Sequence, residues 1–240
     1  LSPSENGNLS GNIYLIYPDI NSWHGLPYHS GLASVGAVLK NYGYNVRVKY
    51  FCSEDQSSEI INEIIEFQPS VVGFTTVETQ FGYVQELAAL IKSKYSCVTV
   101  VGGTHITLWP QAMLEKGSIG LDVGMRGECE DPFVDLIKKI EKGEDYYQVD
   151  NVCFKDEKTG NLVQTPLRPL VQNMETLPHP ATEVFDFQNI IDEHQVAIFH
   201  FNRGCPYPCT YCSAQNLALQ YGKIKDGLRH RPVDNAIEEI

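Results

Sequence analysis

Along the first 145 residues, short apolar runs alternate with stretches whose apolar positions recur every three to four residues. NIYLIY (12–17) reads as a buried strand. In GLASVGAVLKNYGY (31–44), Leu32, Val35, Val38 and Leu39 fall at helical spacing, and Gly43 ends the run. NVRVKYF (45–51) alternates as a strand does. Ile60, Ile61, Ile64, Ile65 and Phe67 mark a second helix, closed by Pro69. SVVGFTT (70–76) is a strand rich in β-branched residues. A helix over 80–94 carries Val84, Leu87, Ala88 and Ile91 on one face, and CVTVVGG (97–103) is a strand ending in a double glycine. A short helix near 110–116, a strand at 121–125 and a helix at 130–142 complete the series. The pattern predicts an α/β fold, a five-stranded parallel sheet of Rossmann-like, flavodoxin type with helices on both faces. Ligands of such sheets bind at the carboxyl ends of the strands, where strand order reverses. The loops that matter are therefore 18–31, 75–81, 102–109 and 126–130.

Beyond this region the pattern changes. DNVCFKDEKTGNLVQTP (150–166) fits a hairpin turning at Thr159-Gly160-Asn161. Pro166, Pro169, Pro178 and Pro180 mark an extended linker. VAIFHFN (196–202) reads as a strand, and PVDNAIEEI (232–240) starts a helix with Asp234 near its cap. The chain thus divides into a polar lead-in (1–11), an α/β domain (12–148), a hairpin and Pro-rich linker (149–194), and the incomplete start of another domain (195–240).

The net charge of −12 argues against general nucleic-acid affinity, which needs a basic face. The one basic stretch, KIKDGLRHR (223–231), reads as a solvated loop. No apolar run approaches the ~18 residues of a membrane span. Cys52, Cys97, Cys129 and Cys153 lie far apart and form no secreted disulfide framework, which points to a reducing cytoplasm.

The remaining cysteines are concentrated in RGCPYPCTYCSA (203–214), which holds Cys205, Cys209 and Cys212. Thiolates suit zinc, copper or iron–sulfur clusters. A closed zinc site needs a fourth ligand, for which His200 or His230 could serve, but no second paired knuckle exists. A redox CxxC leaves Cys205 unexplained. Three thiolates leave a coordination position open, and an open position is where chemistry happens.

The C-x3-C-x2-C spacing after a strand, with Tyr211 before the last cysteine, resembles the radical S-adenosylmethionine enzymes. That resemblance implies a 4Fe–4S cluster on Cys205, Cys209 and Cys212, with S-adenosylmethionine on the fourth iron and Tyr211 near its adenine. The cluster then cleaves S-adenosylmethionine to a 5′-deoxyadenosyl radical. Pro206 and Pro208 would stiffen the loop. The order of the Gly-Leu-Ala-Ser helix start (31–34), QPSVVGFTT, VVGGTHIT and RGECED (126–131) upstream is similar to the cobalamin-binding domain joined to many such enzymes. It implies cobalamin contacts at Thr75, Thr76, Gly102, Gly103, His105, Gly127 and Glu128. Taken singly, each has an ordinary reading as a turn glycine, a polar loop residue or a surface pair. Their shared position at the strand ends is what raises them.

Two features depart from the family pattern. Asp19, His24 and His29 lack the Asp-x-His-x-x-Gly spacing whose His ligates cobalt in the long-known cobalamin proteins, and Cys129 stands where the family often has Gly. The resemblance implies the N-terminal portion of a cobalamin-dependent radical enzyme. The first strand and cluster loop of a partial TIM-like barrel would follow its cobalamin domain. Methyl transfer to an unactivated carbon is the expected reaction. A radical cyclase or rearrangement enzyme whose first domain no longer binds cobalamin, and a non-catalytic cobalamin-binding module, are the alternatives. The expected partners are a small-molecule or biosynthetic-intermediate substrate and an electron donor such as flavodoxin or ferredoxin. This 240-residue piece is expected to be inactive alone, its cluster loop lacking the barrel around it.

Overall fold

The central strands carry apolar side chains on both faces, and two helical layers cover them. A computed structural model describes residues 11–22, 25–222 and 228–240. The lead-in before residue 11, His24 and most of the basic stretch at 223–231 lie outside the described residues. Strands β1 (Asn12–Pro18), β2 (Asn45–Phe51), β3 (Val71–Thr75), β4 (Val98–Gly102) and β5 (Val123–Met125) are parallel, in the order β2-β1-β3-β4-β5. Strand order reverses between β1 and β3, as expected for the flavodoxin type.

Alternation along the strands divides the core. Ile13, Leu15, Val71, Val100 and Val123 face α1 (Ser30–Asn41) and α5 (Glu130–Glu141), packing with Leu39, Phe133 and Leu136. Tyr14, Ile16, Val72, Phe74 and Val101 face α2 (Ser57–Phe67) and α3 (Glu78–Lys94), packing with Ile60, Ile64, Leu87 and Ile91. Helix α2 stops at Gln68, whose left-handed backbone (φ 52°) caps it just before Pro69. A one-turn α4 (Thr104–Leu108) follows β4 directly. The helix expected near 110–116 is a 3₁₀ turn at Pro110–Leu114.

The hairpin forms, but it extends the sheet. Strands β6 (Val152–Lys155) and β7 (Leu162–Gln164) are antiparallel, and β6 pairs with β5. The five-stranded sheet expected from the sequence is thus seven-stranded and mixed. The reason is the short β5, whose free edge would otherwise expose unpaired backbone groups; fully buried Val152 and Cys153 cover it. Asn151 locks this junction. Its amide donates to the Arg126 and Glu128 carbonyls at 2.7 and 3.0 Å and accepts from Arg168 N at 2.8 Å.

The C-terminal segment departs from expectation. The strand predicted over 196–202 is reduced to β8 (Asn202–Arg203), antiparallel to β9 (Arg229–His230). The alternation in VAIFHFN has no longer partner strand to pair with among the described residues, and a strand without a partner leaves its backbone unsatisfied. Helices α6 (Phe187–His194), α7 (Ser213–Leu219) and α8 (Val233–Glu239) complete the chain. The expected barrel start is therefore a short ribbon with flanking helices.

Replacing Asn151, fully buried with φ 67°, by Ala strands two carbonyls and an amide and strains the backbone. Asn151→Ala is expected to cost about 3 kcal/mol or more. Asn151→Gly relieves the strain alone and should fall between Ala and wild type. Denaturant midpoints of the three proteins check the order.

Candidate functional site: a cavity at the strand ends beneath a cysteine loop

Gly73, Thr75 and Gly102 continue the alternation of Val71 and Val100 toward the α1/α5 face, but two of the three have no side chain to fill it. The result is a cavity of about 380 Å³ bounded by Leu15, Leu32, Val35, Met125 and Phe133. A Cβ on Gly73 would stand 2.8 Å from Leu15 Cδ2. The β3 and β4 ends are laced by Thr76 N to Gly102 O at 3.0 Å and His105 N to Thr76 O at 3.2 Å. That lacing puts the Thr76 backbone against Gly103 (φ 97°), where any side chain would collide.

The polar rim comes from three places. Ser34 lies on α1, Glu128 and Glu130 on the β5–α5 loop and helix start, and Arg203 on β8. A second cavity of about 370 Å³ adjoins the first, sharing Gly103, Gly127, Glu128 and Arg203. Its remaining walls include Thr104 and Thr107 of α4, Cys205, and Leu217 and Tyr221 in and after α7. Tyr221 accepts from Glu128 N at 2.9 Å, its hydroxyl set against Gly127.

Of the residues singled out from sequence, Thr75, Gly102, Gly103, Gly127 and Glu128 line the first cavity. Thr76 and His105 line neither. Thr76 is buried and donates to Val77 O at 2.9 Å. His105 turns to the other face of the sheet, its ring 4.7 Å from Phe81, where burial lowers its pKa. Cys205 lines the second cavity, while Cys209 and Cys212 are partly exposed and Tyr211 is 91% exposed. Among the described residues no three His, Cys, Asp or Glu side chains are grouped so as to hold a single metal ion.

Asp19 and His29 have structural partners. Tyr50 donates to Asp19 at 2.8 Å. His29 caps α1, its Nδ1 accepting from Leu32 N at 3.1 Å, which leaves the proton of the neutral ring on Nε2. Cys129 lies against the Arg126 and Gly127 carbonyls, and burial raises its thiol pKa. Ser34, Glu130, Arg203, Tyr221 and Arg229 were not visible as site residues. Glu130 and Arg203 stand inside motifs already marked, but their long-range pairing leaves no local signature.

A cavity at the β1/β3 switch point, held open by glycines, is what a nucleotide tail requires. Residues 20–137 match the B12 binding domain family. The chain carries a B12-binding domain. An uncharacterised methyltransferase of Pyrococcus horikoshii is 28% identical over 213 residues, covering 88% of this chain and 44% of that protein. Anaerobic magnesium-protoporphyrin IX monomethyl ester cyclase of Rubrivivax gelatinosus is 26% identical, covering 83% of this chain and 39% of that protein. The solved cobalamin-dependent S-adenosylmethionine radical enzyme OxsB, with aqua-cobalamin and S-adenosylmethionine bound, superposes with a TM-score of 0.73 at 19% identity. The match covers 95% of this chain and 31% of OxsB. The radical S-adenosylmethionine methyltransferase TsrM of Kitasatospora setae gives 0.70 at 18% identity, over 95% of this chain and 44% of TsrM. The chain thus spans less than half the length of these relatives. No helix among the described residues is long and apolar enough to cross a membrane.

His29, half-buried, lines the cavity of the B12-binding domain, and burial first, then His200, lowers its pKa from 6.5 to about 4. The unfolded chain takes up this proton near pH 6.5 and the folded one only near 4, so stability falls as pH drops through that window. His29→Asn keeps a capping side chain and removes the titration. Urea unfolding at pH 7.5 and pH 5 should show a smaller difference in the variant than in wild type.

Proposed function

We propose that the chain is the N-terminal portion of a cobalamin-dependent radical S-adenosylmethionine methyltransferase. The observation that carries this reading is adjacency. The glycine-lined cavity of the B12-binding domain shares a wall with the cavity that holds Cys205.

On this reading the first cavity takes the nucleotide tail of cobalamin. Its size and apolar lining suit a flat heterocycle, with Thr75 offering a hydroxyl and Gly102, whose Cβ position is open, letting the backbone come close. Cys205, Cys209 and Cys212 would hold the 4Fe–4S cluster, and Tyr211 would meet S-adenosylmethionine. When bound, the cluster supplies the electron that cleaves S-adenosylmethionine, and cobalamin supplies the methyl carrier. The chain's own contribution is to orient the two groups toward each other and to keep water from the space between them. A flavodoxin or ferredoxin is the matching electron donor. The relatives named as cyclases support a second reading, radical ring closure, which product analysis of the full-length enzyme separates from methyl transfer.

The chain mixed with hydroxocobalamin is expected to keep the cofactor's absorbance through gel filtration; loss of all of it overturns the reading. Gly102 has room for a Cβ, whose nearest neighbours would be 3.7 and 3.9 Å away. Gly102→Leu should therefore fold, with an unchanged circular dichroism spectrum, yet weaken cobalamin binding by about tenfold or more as its side chain fills the cavity. Anaerobic reconstitution of the full-length enzyme should give an iron–sulfur absorbance that is lost when Cys205, Cys209 and Cys212 are replaced by Ala.

A further inference from the structure

Glu128 lies between the two cavities, and its carboxylate is fully engaged. It accepts from Arg229 Nη2 at 2.6 Å and Nη1 at 2.8 Å, and from Val171 N at 3.4 Å, and it pairs with Arg203 Nη1 at 3.1 Å. These contacts use about four acceptor sites, all a carboxylate has. Burial raises the pKa of Glu128, but the two arginines outweigh burial and the net shift is downward. Nothing of Glu128 remains to receive a cofactor amide.

The same arginines hold the cysteine loop. Arg203 precedes Cys205 by two residues, with only Gly204 (φ 84°) between them. Its other guanidinium nitrogen bonds Glu130 and Ser34 Oγ, the latter at 3.0 Å, and Ser34 donates to Glu130 at 2.8 Å. The β8–β9 pairing sets Arg203 directly beside Arg229, so the two cations arrive as one unit on Glu128. Arg229 also donates to Val171 O at 2.8 Å in the linker. The Arg229 and Glu130 side chains are each only 6% exposed. One buried and one half-buried carboxylate and two guanidiniums therefore join three segments, and removing one partner of such a network costs more than an exposed pair would.

We infer that Glu128, with Glu130, Arg203 and Arg229, is a positioning joint that fixes the cysteine loop at a set distance from the cobalamin cavity, and that Glu128 is not itself a cobalamin contact. This rests on the proposed function, because it assigns the loop a cluster and the cavity a cobalamin.

The test uses the full-length enzyme loaded with cluster and hydroxocobalamin, both then reduced to their paramagnetic forms. Electron paramagnetic resonance reads the spin–spin coupling between the two centres, and titration with hydroxocobalamin reads affinity. Glu128→Gln is expected to leave affinity within about twofold, whereas loss of a real contact would cost about tenfold. The coupling, sharp in wild type, should become broad in Glu128→Gln as the loop leaves its fixed place. Arg203→Lys, which keeps the charge but loses the fork, should fall between the two. A tenfold affinity loss with unchanged coupling in Glu128→Gln overturns the inference and makes Glu128 a contact. Unchanged affinity with unchanged coupling overturns it as well. Should Glu128→Gln fail to fold, Arg203→Lys carries the test of the joint, and unchanged coupling in it overturns the inference. Wild-type enzyme that takes up no cobalamin or no cluster overturns the proposed function itself, an outcome distinct from the others.

Discussion

The missing side chains at Gly73 and Gly102 are the constraint on which the site depends. On the α1/α5 face, β3 and β4 present valine at Val71 and Val100, then glycine at Gly73 and Gly102 as the strands reach their carboxyl ends. Packing is therefore complete at the base of the sheet and open at its top. A protein interior is close-packed, and a void of this size loses dispersion contacts along its whole lining. The fold tolerates the void because the lower strands bury enough on both faces, and because Leu15, Met125 and Phe133 line it without polar groups that would need partners. An apolar cavity bordered by two strand glycines is a poor element of stability.

The second constraint is charge balance above the cavity. Glu130 opens α5, where the helix dipole favours a carboxylate. Glu128 sits just before it, on a loop whose carbonyls are fixed from below by Asn151. The sheet and its hairpin thus present two anions at a defined height, and β8–β9 presents two cations to meet them. The hairpin is part of this arrangement. Without β6 against β5, nothing would hold Asn151 under the loop.

The repeating elements were legible in the sequence because periodicity is a local property. The parallel strands and the four long helices follow directly from spacing such as Ile60, Ile61, Ile64 and Phe67. The double glycine at Gly102-Gly103 and the run from Gly127 to Glu130 fall on loops that line the cavity. What stayed hidden depends on distance in space. The docking of the hairpin onto β5 follows from the shortness of that strand's edge, which no window of sequence records. His105 looked like a site residue from its place after Gly103, but α4 begins at once and turns the ring toward Phe81. VAIFHFN alternates like a strand, yet only its last residue belongs to one, because pairing requires a neighbour that local pattern cannot supply.

Glu128 shows how the two levels of reading meet. By sequence it belongs to a loop at the strand ends, and by position it does line the cavity. Position alone does not make a contact, since a carboxylate has a finite number of lone pairs and each bond already made withdraws one from any ligand. Arg229 and Arg203 occupy them, and burial strengthens their hold by lowering the local dielectric. A residue can therefore be indispensable to a site through its grip on the chain. The nearby backbone is engaged too: Gly127 N donates to Thr107 Oγ1 at 2.9 Å, and Gly103 O accepts from the same hydroxyl at 2.8 Å. The division is physically economical: charges hold the loop in place, and the apolar side chains of Leu15, Met125 and Phe133 are left to wall the cavity.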